Sequence, residues 1–445
     1  MPNPILPLWE YIPDGEPRVF GDRVYLYGSH DRAAGEAFCD FKLKVWSAPL
    51  ADLNRWQCHG DSFRTRPGVR PGGEARPADT PWTDHELYAP DVVEKDGKYY
   101  LYAYIVGAKG AVGVSDRPEG PFRLLSQYTY AGGVGDDGIF NDAGVLVDND
   151  GRVYVYYGFT QSWMNELDGR DMHTVIPGSL RHPVIDDREE VPEERRFYEA
   201  SSPRKIGDLY YLIYSPRRGS RLAYATAPSP TGPFTYRGYI IDNGVDYPAG
   251  NNHGSIACLN GQWYVFYHRM TNRSITSRRA CVERITILPD GSIPPVEMTS
   301  LGFQEALNPY APTPAEIACV LKGGCFITEL DVMTRLVTEI TDGCVMGYKY
   351  FDFGEDGTGD GLTFAAKTRG LGVNCALEVR LDSPEGEPLA AAAVGTGDGI
   401  TRCKLPPVTG RHALYLTARH RVEGWMGAFF EGRRLFDLVS FMFLK

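Results

Sequence analysis

The chain has 445 residues, with 46 Lys plus Arg against 57 Asp plus Glu, a formal net charge of −11, and 43% hydrophobic residues. That length suits two or three domains with cores of their own, and the apolar content is too high for a disordered chain. An acidic chain without a basic cluster is repelled by phosphate backbones and anionic lipid, so neither nucleic acid nor a membrane surface is an expected partner.

The N-terminal stretch Met1–Glu10 has no basic segment, no long apolar run and no small-residue cleavage site, so no signal peptide is expected. No run of about 18 apolar residues occurs, so no transmembrane helix is expected. The nine cysteines are odd in number, scattered and never in a CxxC pair, which argues against a disulfide framework or a zinc ribbon. A reduced, cytoplasmic setting is the simplest expectation. The 27 Tyr, 20 Phe and 7 Trp favour β-sheet, where flat rings suit a pleated, half-buried surface.

Along the chain one pattern recurs five times: a Gly/Asp/Asn turn followed by an aromatic strand. The copies are Phe20–Ser29, Lys95–Tyr104, Asn149–Gly158, Ile206–Ser215 and Leu259–His268. Their central tyrosines, Tyr25, Tyr100, Tyr154, Tyr211 and Tyr264, lie 75, 54, 57 and 53 residues apart. The turns carry hairpin chemistry. A second element follows some copies: Ser115–Phe122 and Thr226–Phe234 are near duplicates, and Ser47–Trp56 occupies the same place after the first copy. Each repeat thus reads as a four-stranded antiparallel unit. Repeats of this period without helical signals predict an all-β fold, here a five-bladed β-propeller over residues 1–305. Two long polar insertions, 64–85 and 161–196, interrupt the pattern, and such loops on a rigid scaffold are expected to cover a binding site.

After a Pro-rich linker at 306–316 the repeat stops. Residues 317–445 alternate in strand fashion at Met346–Gly354, Cys375–Gly386, His412–Arg419 and Leu435–Leu444, which predicts a β-sandwich.

The repeat allows equivalent positions to be compared. Asp14 lies 11 residues before Tyr25, Asp142 lies 12 before Tyr154, Glu199 lies 12 before Tyr211, and His253 lies 11 before Tyr264. In the second copy Tyr88 holds this slot, with Asp91 slightly later. Isolated turn-capping aspartates are common in β-rich chains. A shared register is not explained that way. Three carboxylates brought from three repeats to one end of an axis would repel, so at least one must be protonated or matched by a cation. Cleavage of a glycosidic bond needs such a set, with an acid for the leaving oxygen and a carboxylate to activate water.

The segments Pro13–Asp31, Tyr88–Val93, Asn141–Gly151 and Tyr198–Lys205 together resemble glycoside hydrolase family 43, five-bladed propellers that invert the anomeric carbon. The resemblance covers about two thirds of the chain. It implies Asp14 as general base, Glu199 as general acid, and Asp142 as the carboxylate that orients the acid and raises its pKa. Gly15 and Ala143 stand where the family usually has proline, and Tyr88 stands where it has tryptophan. Glu16–Pro17 is therefore a rival acid–proline pair, although register favours Asp14. The resemblance also implies that His253 faces an axial cation, commonly structural calcium, or a water cluster. It further implies that Arg279 and Tyr88 contact the sugar. No cofactor is required for the chemistry.

The C-terminal segment order resembles a family-6 carbohydrate-binding module. Trp425 and nearby aromatics are open to either a sugar-binding or a packing role. The expected activity is that of an inverting exo-glycosidase removing terminal α-L-arabinofuranosyl or β-D-xylosyl residues from oligosaccharides. A β-D-galactofuranosidase of the same fold and a non-catalytic sugar-binding propeller are the alternatives. A retaining fructan-cleaving propeller would need Asp-Pro motifs that are not found.

Overall fold

The computed structural model describes residues 1–33, 35–69, 72–107, 110–128, 140–355 and 361–445. Strands dominate, and the only helical elements among the described residues are two short 3-10 turns, Ala315–Ile317 and Gly424–Phe430. Among the described residues, no helix is long and apolar enough to cross a membrane. None of the nine cysteines forms a disulfide.

Residues 16–285 form five successive antiparallel sheets of four, four, three, four and three strands. The five tyrosines each sit in the second strand of their sheet. They face Arg18, Val93, Leu146, Arg204 and Ala257 of the first strand in matching register. The repeat read from the sequence is thus a structural repeat, with two sheets one strand short of the expected four.

Burial explains why the sheets assemble. Each is apolar on both faces, and five separate clusters fill the gaps between neighbours. Leu43, Val45, Leu101 and Ala103 join the first two sheets, and Val112, Val145 and Val155 join the second and third. Tyr154, Tyr156, Leu212 and Tyr214 join the third and fourth, and Ile213, Tyr224, Val265 and Tyr267 join the fourth and fifth. Val24, Leu26, Phe266 and Val282 join the fifth back to the first. The chain therefore closes on itself. The N-terminal segment locks the closure: Ile5 N–H donates to Ala280 O at 2.9 Å, and the buried Asn3 side chain donates to Val282 O at 2.8 Å.

The near-duplicate turns share one task. Tyr27 of the first sheet donates its hydroxyl to Pro118 O of the second at 2.7 Å, and Tyr156 of the third donates to Pro230 O of the fourth at 2.5 Å. Part of the tyrosine excess is accounted for here, since a ring that fills apolar space still needs a partner for its hydroxyl.

Among the described residues, neither insertion lines the cavity described below. The 161–196 segment packs on its own sheet: His182 stacks on Trp163 at 3.4 Å between centroids, and Val184 and Ile185 enter the core between the third and fourth sheets. The 64–85 segment folds into a small hairpin, Gly68–Val69 against Ala75–Arg76.

The C-terminal part forms a six-stranded and a five-stranded sheet. Tyr348 and Phe351 of one lie against Phe441 of the other, with centroids 4.7 and 6.0 Å apart. The 306–316 stretch is not free chain. Leu307 N–H donates to Tyr350 O at 2.8 Å, and Thr313–Pro314 pairs with the final strand Phe436–Leu444. One continuous core runs from the fourth and fifth sheets into this region.

Candidate active site

The first strands of the five sheets surround a common axis. Glu16–Phe20 touches Leu87–Lys95 and Ser255–Leu259, and Gly144–Val147 touches Leu87–Lys95 and Phe197–Ile206. The ring closes where the hydroxyls of Ser202 and Ser255 meet at 2.6 Å. At one end of this axis the backbone turns sharply in four of the five sheets. Asp14, Ala89, Asp142 and Ala200 have φ of 57°, 31°, 50° and 71°, in the left-handed region that non-glycine residues rarely adopt. Aspartate tolerates this region better than most, which suits the two positions where the family pattern would place a proline next.

These turns open a cavity of about 490 Å3, within the range of small-ligand sites. Asp14, Asp142, Glu199, His253 and Tyr88 all line it, beside Asn141, Tyr104, Phe159, Tyr198 and Asn251. Five of the six residues singled out from the sequence are thus brought together. Glu16, the rival of Asp14, is not among them. It faces the axis one layer deeper and pairs with Arg204.

Arg279 is the exception. Its side chain is buried on the far side of the strand Ser274–Ile285, where it donates to Glu316 at 3.0 Å. Its neighbour Arg278 lines the cavity instead. Adjacent strand residues point to opposite faces, so a one-residue error in register exchanges a sugar contact for a contact with the C-terminal part.

Arg278 organises the charge. Its Nη1 donates to Asp14 Oδ1 at 2.8 Å, while Nε and Nη2 clasp Asp31, each at 2.9 Å. Asp14 Oδ2 also accepts from Ser29 Oγ at 2.6 Å, and that hydroxyl accepts in turn from Ala89 N–H at 2.7 Å. Arg278 and Asp31 carry no repeat signal, whereas Ser29 and His268 close the first and fifth repeat copies, each four residues after the central tyrosine. The position of Ser29 and Asp31 at the end of the second strand, within the Pro13–Asp31 segment, could also have marked those two.

The carboxyls divide in two. Burial alone would raise Asp14, but the Arg278 guanidinium, with His253 and His268 beside it, holds its carboxyl below the usual range. Glu199 is pushed up to about 7, by burial first and then by the negative charge of Asp14. Asp142 is driven well above an ordinary aspartate by burial and by Glu199 and Asp14. Asp14, which the expectation did not name as a source of this field, is a charge beside which both carboxyls are raised. Burial lowers both histidines, His268 to about 3. His253 Nδ1 sits 3.7 Å from both Asp14 Oδ1 and Asp142 Oδ2.

The axis beside His253 does not suit calcium. Calcium takes six to eight oxygen ligands, and no group of three or more His, Cys, Asp or Glu side chains among the described residues is placed to hold a metal ion. The adjacent layer carries cations already. Arg204 donates to Ser202 Oγ at 3.3 Å and to Ile256 O at 3.0 Å, and it pairs with Glu16. Arg18 pairs with Asp91 at 2.6 Å and donates to Val145 O at 3.0 Å. Each guanidinium reaches between non-adjacent first strands and so crosses the axis.

Comparison with known proteins agrees with this geometry. The profile of glycosyl hydrolases family 43 matches residues 1–293. A xylosidase/arabinosidase of Thermoclostridium stercorarium is 38% identical, over 94% of this chain and 96% of that protein. The solved arabinoxylan arabinofuranohydrolase of Bacillus subtilis, in complex with cellotetraose, shares the fold at a TM-score of 0.55 and 24% identity, covering 100% of this chain and 97% of its own. A β-xylosidase/α-arabinofuranosidase from a compost microbial metagenome, solved with xylotriose, superposes at 0.55 with 28% identity, over 66% of this chain and 98% of that one. The profile over residues 1–293 and the 38% identical xylosidase/arabinosidase place the chain in glycosyl hydrolases family 43, and it is a glycoside hydrolase.

Proposed function

We propose that the protein is an inverting exo-glycosidase that removes terminal β-D-xylosyl or α-L-arabinofuranosyl residues from short oligosaccharides. The observation that carries this reading is the split between Asp14, held ionised, and Glu199, held up to about 7, in one cavity. Such a pair is what acid–base hydrolysis in one displacement requires. Asp14 takes a proton from water as its oxygen bonds to the anomeric carbon. Glu199 gives its proton to the departing glycosidic oxygen as that bond breaks. Arg278 keeps Asp14 ionised, and Tyr88 and Phe159 offer ring faces to the sugar. Among the relatives, a xylosidase/arabinosidase at 38% identity supports the choice of terminal sugar.

In this reading the five sheets are the blades of a β-propeller spanning 1–305. The two C-terminal sheets are a β-sandwich of the family-6 binding-module type over 317–445, reached through 306–316. No cofactor takes part in the proposed chemistry, so treatment with EDTA is expected to leave kcat unchanged.

The test is a panel of nitrophenyl glycosides and xylo-oligosaccharides, with NMR of the first-formed anomer. Release of xylose or arabinose with inverted configuration is expected. Retained configuration, or binding without release, would overturn the proposal.

A further inference from the structure

Asp31 lies outside the cavity, yet every hydrogen bond to its carboxylate comes from one residue of it. Oδ2 accepts from both the backbone N–H and Nε of Arg278, and Oδ1 accepts from Nη2, each at 2.9 Å. The Asp31 side chain is fully buried, and that of Arg278 is 2% exposed. A two-point fork of this kind fixes both the position and the plane of a guanidinium. The remaining nitrogen, Nη1, is thereby aimed at Asp14 Oδ1 at 2.8 Å. The ring of Phe38, 5.0 Å away, lies against the guanidinium.

We propose that Asp31 is a positioning residue for hydrolysis, which acts through Arg278 to aim the base Asp14 and to limit the positive field on the Asp14–Glu199 pair. The inference rests on the assignment of base and acid proposed above. Its physical basis is a charge count. Without Asp31, one buried guanidinium would face Asp14 alone, whereas with it the cation is shared between two carboxylates. The groups facing Arg278 are Asp14, Asp31 and the Cys39 thiol, which burial keeps protonated. Those facing Asp14 are Arg278, His253, His268 and Ser29. Those acting on Glu199 are Asp14, Arg278 and Asn141. Arg278 lowers both Asp14 and Glu199, so removing the charge that offsets it lowers both further.

The experiment is the pH profile of kcat/KM for Asp31→Asn on xylobiose, with circular dichroism to establish that the variant is folded. Both limbs are expected to move to lower pH, by about one unit, and kcat to fall roughly 10-fold to 100-fold as Arg278 loses its aim. A structural role alone would lower the melting temperature and leave the limbs in place. Limbs at their wild-type positions in a folded Asp31→Asn variant overturn the inference. Should that variant not fold, Arg278→Lys carries the test with the opposite sign. An ammonium cannot hold the Asp31 fork and reach Asp14 as well, so the acid limb rises toward the ordinary aspartate range, and an unmoved acid limb overturns the inference. Asp14→Asn serves as the control. Wild-type turnover in Asp14→Asn refutes the base assignment itself, whereas lost turnover there with unmoved limbs in Asp31→Asn refutes only the role of Asp31.

Discussion

Asp14 and Glu16 are two residues apart, both buried acids at the first strand of the first sheet, and they end in opposite chemical situations. Around Asp14 the cavity gathers Asp142 and Glu199, with Asp31 behind, and Arg278 is the cation that touches Asp14 and Asp31. Around Glu16 the axis holds two acids, Glu16 and Asp91, against two cations, Arg18 and Arg204. The balanced set is neutralised and tied to backbone carbonyls of several strands, so it acts as a plug. In the unbalanced set the single cation is shared between Asp14 and Asp31, and burial raises Asp142 and Glu199. Charge imbalance, rather than the presence of acids, is what makes one end of the axis reactive.

The largest expected effect is at the unbalanced end. Asp14→Asn and Glu199→Gln should each lower kcat by about 1000-fold on xylobiose, in the range general acid–base groups contribute, while the melting curve stays cooperative. A smaller loss for Glu199→Gln on nitrophenyl glycosides than on xylobiose would identify the acid, because nitrophenolate leaves with little protonation.

Next comes the pH profile of the wild type. Asp14 must be ionised, and it already is at the ordinary aspartate value because its carboxyl lies lower. Glu199 must be protonated, and it titrates at about 7. Activity therefore holds through mildly acidic pH and falls about tenfold per unit well above 7. Asp142→Asn sharpens the point: with Asp14 as the charge acting on Glu199, the amide should leave the alkaline limb near 7, and a limb displaced by a full unit would make Asp142 the source of the field.

At the balanced end the effect should be on stability alone. Glu16→Gln leaves Arg204 short of its partner in a buried layer and should cost about 3 kcal/mol, read as a lower denaturant midpoint, with kcat/KM of the folded enzyme unchanged. A change in the pH limbs would show that the two ends are electrostatically coupled. The smallest effect on catalysis belongs to Arg279→Met, which breaks the contact with Glu316 and is expected to leave kcat and KM at wild-type values while lowering the melting temperature.

Much of the architecture was legible because the repeat is written in turn chemistry. A Gly/Asp/Asn pair and an aromatic strand recur at each hairpin, and counting back from Tyr25, Tyr154, Tyr211 and Tyr264 reached Asp14, Asp142, Glu199 and His253. What stayed hidden was whatever the repeat does not encode. Arg278 and Arg279 are adjacent arginines on one strand, and a one-residue choice of parity decides which enters the cavity. The 161–196 insertion looked like a cover because it is long and polar, yet Val184 and Ile185 anchor it in the core.

The sequence by itself determined the all-β class, the five-fold repeat and the register that aligns the acids, since all of these follow from local turns and alternation. Only the tertiary structure decided which acid is ionised. That depends on distances between residues far apart in the chain, such as Asp14 and Arg278 across the closure of the first and fifth sheets. Placing one guanidinium among four carboxyls is an outcome of packing, and packing is where burial and charge set each proton.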